Sequence, residues 1–174
     1  MTLVTSEGDV HCAIEEDHAP TAAAHFLAWA DGSEPFLDAR SGAWTRAPLY
    51  RDLAFFRALE RGYVQSGCQL GDGTSTPGFR FPVEARADDA RRLSSPGAIA
   101  FVTYRAPPDR EDPAPPPPGD VVGSQFILTL GDMHHLAGAV PVLGACDDLD
   151  VVDRIAHDVL AGGRPRLLRV DRGP

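Results

Sequence analysis

The sequence is short of cysteine, of positive charge and of long apolar runs, and each shortage excludes a class of protein. Its three cysteines, Cys12, Cys68 and Cys146, are odd in number and widely spaced. They give neither a disulfide framework nor a paired-cysteine metal site, and a reducing setting is expected. Lys+Arg is 16 against an Asp+Glu of 25, a net charge of −9. Such a chain lacks the basic face that nucleic-acid backbones require. It also lacks what an anionic membrane surface would attract. No apolar run approaches the length that spans a bilayer. Met1 to Val10 contains Glu7 and Asp9 and no apolar stretch, so no signal peptide is expected and the location is predicted to be cytoplasmic. At 174 residues the chain suits a single domain, 1–174, able to bury its core without disulfides or metals.

There is no internal repeat. Thr2–Thr5 and Val10–Ile14 are β-rich runs around Glu7-Gly8-Asp9, which reads as a hairpin. Ala19-Pro20-Thr21 opens an Ala-rich helix over Ala22–Ala30, with Phe26, Trp29 and Ala30 on one face and Gly32 as its stop. Residues 31–48 are rich in turn formers. From Leu49 to Leu70, apolar residues come in short strand-like bursts, and 71–78 is a loop by composition. Ala98–Tyr104 and Gln125–Leu130 are buried-strand runs. Between them, seven of the 16 prolines fall in Pro107–Pro118, so 105–119 is predicted to be an extended, solvated insertion. A second helix fits Asp148–Ala161, with Leu149, Val152, Ile155, Val159 and Leu160 on one face and Gly162-Gly163 at its end. Arg166–Val170 is a last strand. Many short strands with two helices and no β-α-β alternation predict a mainly β fold, a closed antiparallel barrel capped by helices.

One ordered series of residues is more specific. Leu49-Tyr50 is followed by Phe55-Phe56-Arg57, Gln65-Ser66-Gly67, Gly71-Asp72-Gly73-Thr74 and Pro77-Gly78-Phe79. Further on come Ser124-Gln125-Phe126-Ile127-Leu128, then Leu136-Ala137-Gly138 and Val142-Leu143-Gly144. Ala19-Pro20-Thr21 with Phe26, and Asp150-Val151-Val152-Asp153-Arg154-Ile155, flank the series. Together these resemble the cyclophilin family of peptidyl-prolyl cis–trans isomerases, over nearly the whole chain. Residues 32–50 look most like bacterial members with an extended insertion. The resemblance implies a closed eight-stranded antiparallel barrel capped by two α-helices, with a proline-binding groove on its outer surface. It implies no metal and no cofactor. The partners it implies are proline-containing peptides or proteins, bound by a monomer.

The resemblance places Arg57 at the family's catalytic arginine and Gln65 at the glutamine that orients it or bonds the substrate carbonyl. Gln125 falls at the second groove glutamine. Phe55, Gly62, Tyr63, Val102, Thr103, Ile127, His135, Leu136 and Val140 are the remaining groove positions. Several depart from the family pattern. Gly62 and Ile127 stand where the family has phenylalanines, Tyr63 stands at its methionine, and Val140 replaces a histidine or tyrosine. The loop 129–136 is one residue longer than usual, which brings His135 to a variable Trp/His position. Phe56 and Cys68 replace a histidine and an aspartate. Without the family context, Arg57 would read as a surface ion-pair residue, and Gln65 and Gln125 as partners of barrel backbone.

The remaining polar groups have plainer readings. His134 and His135 are adjacent, and a strand would point them apart. His11, His18, His25 and His157 read as surface or helix-face residues. Asp147, Asp148, Asp150 and Asp153 suit a helix N-terminus. The glycines of 71–78 lack the lysine of a phosphate loop, and Cys68 reads as a buried neutral thiol. The function expected is X-Pro isomerisation with reduced activity, Arg57 stabilising the twisted amide. The alternatives are a non-catalytic cyclophilin-like module that holds a peptide or partner, and a scaffold redirected to another role. For 105–119 the sharper readings are a polyproline II ligand for a partner and a lid over the groove, with autoinhibition by its own prolines as an extreme of the latter.

Overall fold

The computed structural model describes residues 1–104 and 121–173. The Pro-rich insertion expected at 105–119, and the partner and lid readings attached to it, therefore lie outside the described residues. The strands are β1 (Thr2–Thr5), β2 (Gly8–Ile14), β3 (Phe36–Asp38), β4 (Ala43–Thr45), β5 (Leu53–Ala54), β6 (Arg57–Leu59), β7 (Tyr63–Ser66), β8 (Phe81–Pro82), β9 (Ala98–Tyr104), β10 (Val121–Thr129), β11 (Val142–Cys146) and β12 (Arg166–Asp171). The helices are α1 (Pro20–Asp31), α2 (Ala90–Leu93) and α3 (Leu149–Leu160).

Helix α1 begins at Pro20, whose fixed φ suits the first turn. It ends at Gly32, with φ 79°, where a Cβ would stand 2.6 Å from the Ala47 carbonyl carbon. Its inner face carries Phe26 and Trp29, both fully buried. Phe26, Tyr50 and Phe126 form an aromatic knot with ring centroids 4.8, 5.5 and 5.6 Å apart. Helix α3 buries Val151, Val152, Ile155 and Ala156 in the same core. Its inner stripe is thus rotated from the face expected, and Leu160 is 54% exposed. The turn-rich segment 31–48 contains a small hairpin, β3 with β4, paired Phe36 to Thr45.

The main sheet runs β5-β12-β1-β2-β11-β9-β10-β7-β6, with β8 attached to β10. The closed eight-stranded barrel expected from the sequence is corrected: this path has nine strands and is open. Its two end strands are sequence neighbours, and the reason it stays open lies between them. Phe55 N–H donates to Pro165 O at one edge, and Phe56 N–H donates to Gln65 O at the other. The chain itself crosses the seam in two residues, so no ladder closes it. A third, four-residue helix, α2, is added to the two expected.

A second correction concerns the cysteines. Cys12 and Cys146 face each other across the β2–β11 ladder and are joined by a disulfide. The bond links residues 134 apart in sequence, so spacing along the chain carries no trace of it. An odd count is equally what one bridge and one free thiol give, and Cys68 is that thiol. Titration of the unfolded, unreduced protein is expected to find one thiol, rising to three on reduction. Three thiols in protein purified under oxidising conditions and not yet reduced would sink the assignment. Replacing Cys12 and Cys146 by serine is expected to cost about 2–4 kcal/mol of stability.

Candidate functional site

Strands β6 and β7 pair so that Arg57 stands opposite Gln65. Arg57 is exposed, whereas Gln65 is 4% exposed. The Arg57 guanidinium makes no hydrogen bond or ion pair among the described residues. From β10, Gln125 reaches across, and its Oε1 accepts the Gln65 Nε2 at 2.9 Å. The Gln125 Nε2 donates to Gly73 O at 3.0 Å and Ser75 O at 3.2 Å. Gln125 thus links the β7 side of the site to the loop 71–76. Gln65 is held by Gln125, and among the described residues no side-chain hydrogen bond joins it to Arg57.

These side chains border a cavity of about 380 Å³. Arg57, Gln65, Gln125, Val102 and Thr103, all expected site residues, line it together. The lining also includes Thr74, Ser75, Thr76, Arg80 and Ser124, which the sequence reading passed over. The hydroxyl-rich run Thr74-Ser75-Thr76 within an otherwise matching series was the available signal.

The loop is anchored from below by Cys68. Its sulfur lies 3.0 Å from Ser75 Oγ and accepts the Gly73 N–H at 3.2 Å. Burial pushes this thiol up, but the Ser75 hydroxyl and the backbone around Ser75, Asp72 and Gly73 outweigh it, and the net direction is down. Asp72 caps the turn by accepting the Thr74 hydroxyl at 2.6 Å and its N–H at 2.8 Å. These bonds hold its carboxyl below the usual carboxylate range.

The other expected groove residues fall elsewhere. Tyr63 and Leu136 pack partly buried on a second cluster, which Val102 also touches and whose buried members include Ile127, Met133 and Val140. Phe55 is fully buried in the main core and does not line the groove. At Gly62 the three atoms nearest an added Cβ all belong to the Leu59 side chain, Cδ2 at 2.7 Å, so Leu59 lies against that position. Leu59 is itself 50% exposed. His135 is exposed and, with His134, belongs to a 3-10 turn at His134–Leu136 rather than to a strand. The two rings sit 6.2 Å apart, edge to face, and His134 pairs with Asp132 at 2.8 Å. The longer loop tucks Met133 into the second cluster, a placement no sequence signal marked.

Two histidines read as surface residues also find partners. His18 Nε2 lies 2.6 Å from Asp89, which is fully buried. His25 stacks on Trp29 and lies 2.6 Å from Glu34. Asp148 does not cap its helix through its side chain but accepts the His11 N–H at 2.9 Å.

Gln125→Leu removes both the bond to Gln65 and the tether to the loop. Amides of 71–76 are expected to exchange with deuterium faster, and stability to fall by about 1–3 kcal/mol. Unchanged exchange in that segment would refute the tether.

The chain matches the family model described as cyclophilin type peptidyl-prolyl cis-trans isomerase/CLD over residues 1–170. It is 28% identical over 164 residues to the probable peptidyl-prolyl cis-trans isomerase A of Mycobacterium leprae, covering 92% of this chain and 82% of that one. It is also 28% identical over 158 residues to peptidyl-prolyl cis-trans isomerase B of Streptomyces anulatus, covering 89% and 82%. Among solved structures it resembles the cyclophilin type peptidyl-prolyl cis-trans isomerase of Cryptosporidium parvum, solved in the presence of the dipeptide Ala-Pro. That match has a TM-score of 0.72 at 17% identity, over 99% of this chain and 98% of that one. No helix among the described residues is long and apolar enough to cross a membrane. The chain belongs to the cyclophilin-type peptidyl-prolyl cis–trans isomerase family.

Proposed function

We propose that this chain isomerises X-Pro bonds in peptides and proteins, with Arg57 as its catalytic residue. The observation that carries the reading is an arginine with unfilled donors on the rim of a cavity shared with Gln65 and Gln125. The barrier to rotation, about 18–20 kcal/mol, comes from conjugation of the prolyl nitrogen with the carbonyl. As the amide twists, that conjugation is lost and the nitrogen becomes a hydrogen-bond acceptor. Arg57, always charged and forked, donates to it in the twisted state. Each ~1.4 kcal/mol of such preference is tenfold in rate. Gln65 and Gln125 position the peptide, and no nucleophile or cofactor takes part. The bound species is a proline-containing segment, and the protein acts as a monomer.

Activity is reduced relative to a groove with an aromatic wall. Leu59 over Gly62 offers less surface than the phenylalanine the family places there, a contact worth about 2–3 kcal/mol when fully buried. The same feature, with Ile127 and Val140 packed away in the second cluster, favours a second reading, a module that binds peptide without turning it over. In the cytoplasmic setting that belongs to this proposal, Cys12 and Cys146 are held as thiols and the disulfide forms once the protein meets an oxidant. The thiol count of protein drawn directly from cells tests that location.

NMR exchange spectroscopy on Ala-Pro and Phe-Pro peptides decides between the two readings. Catalysed cis–trans exchange is expected, falling about a hundredfold or more in Arg57→Ala, the scale of losing one preorganised donor. Binding without exchange would establish the module instead. If the missing wall limits activity, the double variant Leu59→Ala/Gly62→Phe is expected to raise the exchange rate about tenfold or more. No gain in a folded double variant would assign the limit to another part of the groove.

A further inference from the structure

We propose that the open edge of the β3–β4 hairpin, with Trp44 at its centre, holds an extended acidic segment of the same chain whose prolyl bond lies at Arg57. The inference rests on the isomerase reading of that site and carries its binding surface outward. The hairpin is a two-stranded sheet of its own, and Leu37 stands opposite Trp44 in it. The Leu37 N–H donates to Pro77 O at 2.9 Å, and its C=O accepts the Gln69 Nε2 at 3.0 Å, so both groups point away from β4. In an antiparallel pair, residues directly opposite turn their polar groups both inward or both outward. Trp44 therefore points its own N–H and C=O away from β3. On that edge, nothing among the described residues pairs with them. An open strand edge of this kind accepts another extended backbone.

Three features say what lies on this edge. The first is position. The Trp44 ring lies over Gly78, where an added Cβ would stand 3.0 Å from its Cη2. Gly78 follows the cavity-lining Thr76 by two residues, about 7 Å of chain at most. A peptide leaving the cavity at Thr76 meets Trp44 within a few residues. The second is rigidity. The buried Gln69 accepts the Ala39 N–H at 2.9 Å and donates to Leu37 O and Thr76 O, which fastens the hairpin to the loop of the cavity. Trp44 is thus held in place while 59% exposed, and a preorganised aromatic loses little freedom on binding. The third is charge. From Phe36 to Arg51 the one carboxylate, Asp38, faces Arg40, Arg46 and Arg51 in number, and its oxygens are taken by the Ser41 hydroxyl and the Arg40 N–H. The Arg40 and Arg46 guanidiniums donate to the carbonyls of Gln69 and Ser33, which leave their charge un-neutralised. On a chain of net charge −9, this local excess of positive charge favours an acidic segment. Strand β4 has three residues and exposes one N–H and C=O pair, which is too little to hold a free partner. A segment tethered through its proline arrives at high effective concentration, and for it one such contact counts.

The test is a peptide series on one Ala-Pro core, extended by six residues on one side or the other. The extension alternates Val with Glu or Val with Lys, and the Glu form is also made with every second amide N-methylated, in both phases. Binding is read by chemical-shift titration and turnover by exchange, for the parent, Trp44→Ala and Arg46→Glu, with sedimentation for the oligomeric state. On one side the Glu extension is expected to bind about tenfold tighter than the core and to shift the Trp44 indole and amide signals. The exchange rate of the bound peptide is expected to stay the same, because the contact is uniform across the reaction. Trp44→Ala is expected to remove the gain, Arg46→Glu to reverse the order of Glu and Lys, and N-methylation in one phase to abolish the gain. The gain is a ratio internal to each variant, so a general loss of affinity does not mimic its loss, and a dispersed amide spectrum certifies folding. No gain on either side overturns the surface, as does a gain that survives Trp44→Ala or N-methylation in both phases. A parent dimer that Trp44→Ala dissociates assigns the edge to a second copy and also overturns it. A gain in binding without exchange on any peptide upholds the surface and overturns only the isomerase reading.

Discussion

The architecture turns on the close crossing of Gly67 and Ser124. Gly67 adopts φ 89°, and a Cβ there would stand 2.3 Å from Ser124 O and 2.8 Å from Gln125 Cα. No side chain fits, so the end of β7 lies directly against β10. The contact is fastened from both sides. Ser124 Oγ donates to Gly67 O at 2.9 Å, and the buried Tyr50 hydroxyl donates to Ser124 O at 2.9 Å. Burial, reinforced by Glu34, keeps that phenol well above its ordinary pKa and therefore a donor. The β9–β10 register slips between Val122 and Phe126, within this same stretch. Strand alternation leaves Gln125 partly exposed between the buried Ser124 and Phe126. One residue of the strand is thereby spent on the site while its neighbours serve the core.

The site lies where two packed regions meet. On one side the aromatic knot of Phe26, Tyr50 and Phe126 fixes the depth of β10. On the other, Ile127, Met133 and Val140 form the smaller cluster under Tyr63 and Leu136. Adjacent residues of one strand thus point into different cores, with Gln125 beside them. The losses at Gly62 and Ile127 fall on the smaller cluster, where the longer loop supplies Met133. Methionine is unbranched and fills irregular space, which suits a region whose aromatic walls have been replaced by aliphatic ones. In the polar half of the site Cys68 departs from the resembled pattern and anchors the loop 71–76. The Gln65–Gln125–loop relay is complete, which is why chemistry is assigned to that half.

How much of this was legible in the sequence varies with the kind of information involved. Local patterns carried well: the apolar run Ala98–Tyr104 is β9, and Pro20 and Gly32 bound α1 as their backbone preferences require. Arg57, Gln65 and Gln125 were legible because their order along the chain matches a family pattern, and the fold then brings them to one cavity. What stayed hidden is set by geometry between distant segments. The Cys12–Cys146 pairing depends on the β2–β11 register. The open seam depends on two successive amides, Phe55 and Phe56, bonding opposite edges. Phe55, a groove position by resemblance, sits at that seam with its ring in the main core.

The charge distribution gives the site its remaining meaning. All 16 basic residues of the chain are arginine. On the outer surface several are committed to carboxylates, as in Arg154 with Asp150, Arg166 with Asp52 and Arg172 with Asp31. Such exposed pairs contribute little to stability, but they neutralise cations locally. Arg57 differs in that, among the described residues, no carboxylate lines its cavity, and its β-sheet partner is a neutral glutamine already engaged with Gln125. An arginine placed so, in a molecule with acid to spare, keeps its donors for whatever enters from outside. A carboxylate at Gln65 or Gln125 would consume those donors in an internal ion pair. The amides fix the geometry around Arg57 without neutralising its charge, and that division of labour is what supports the proposal that Arg57 acts.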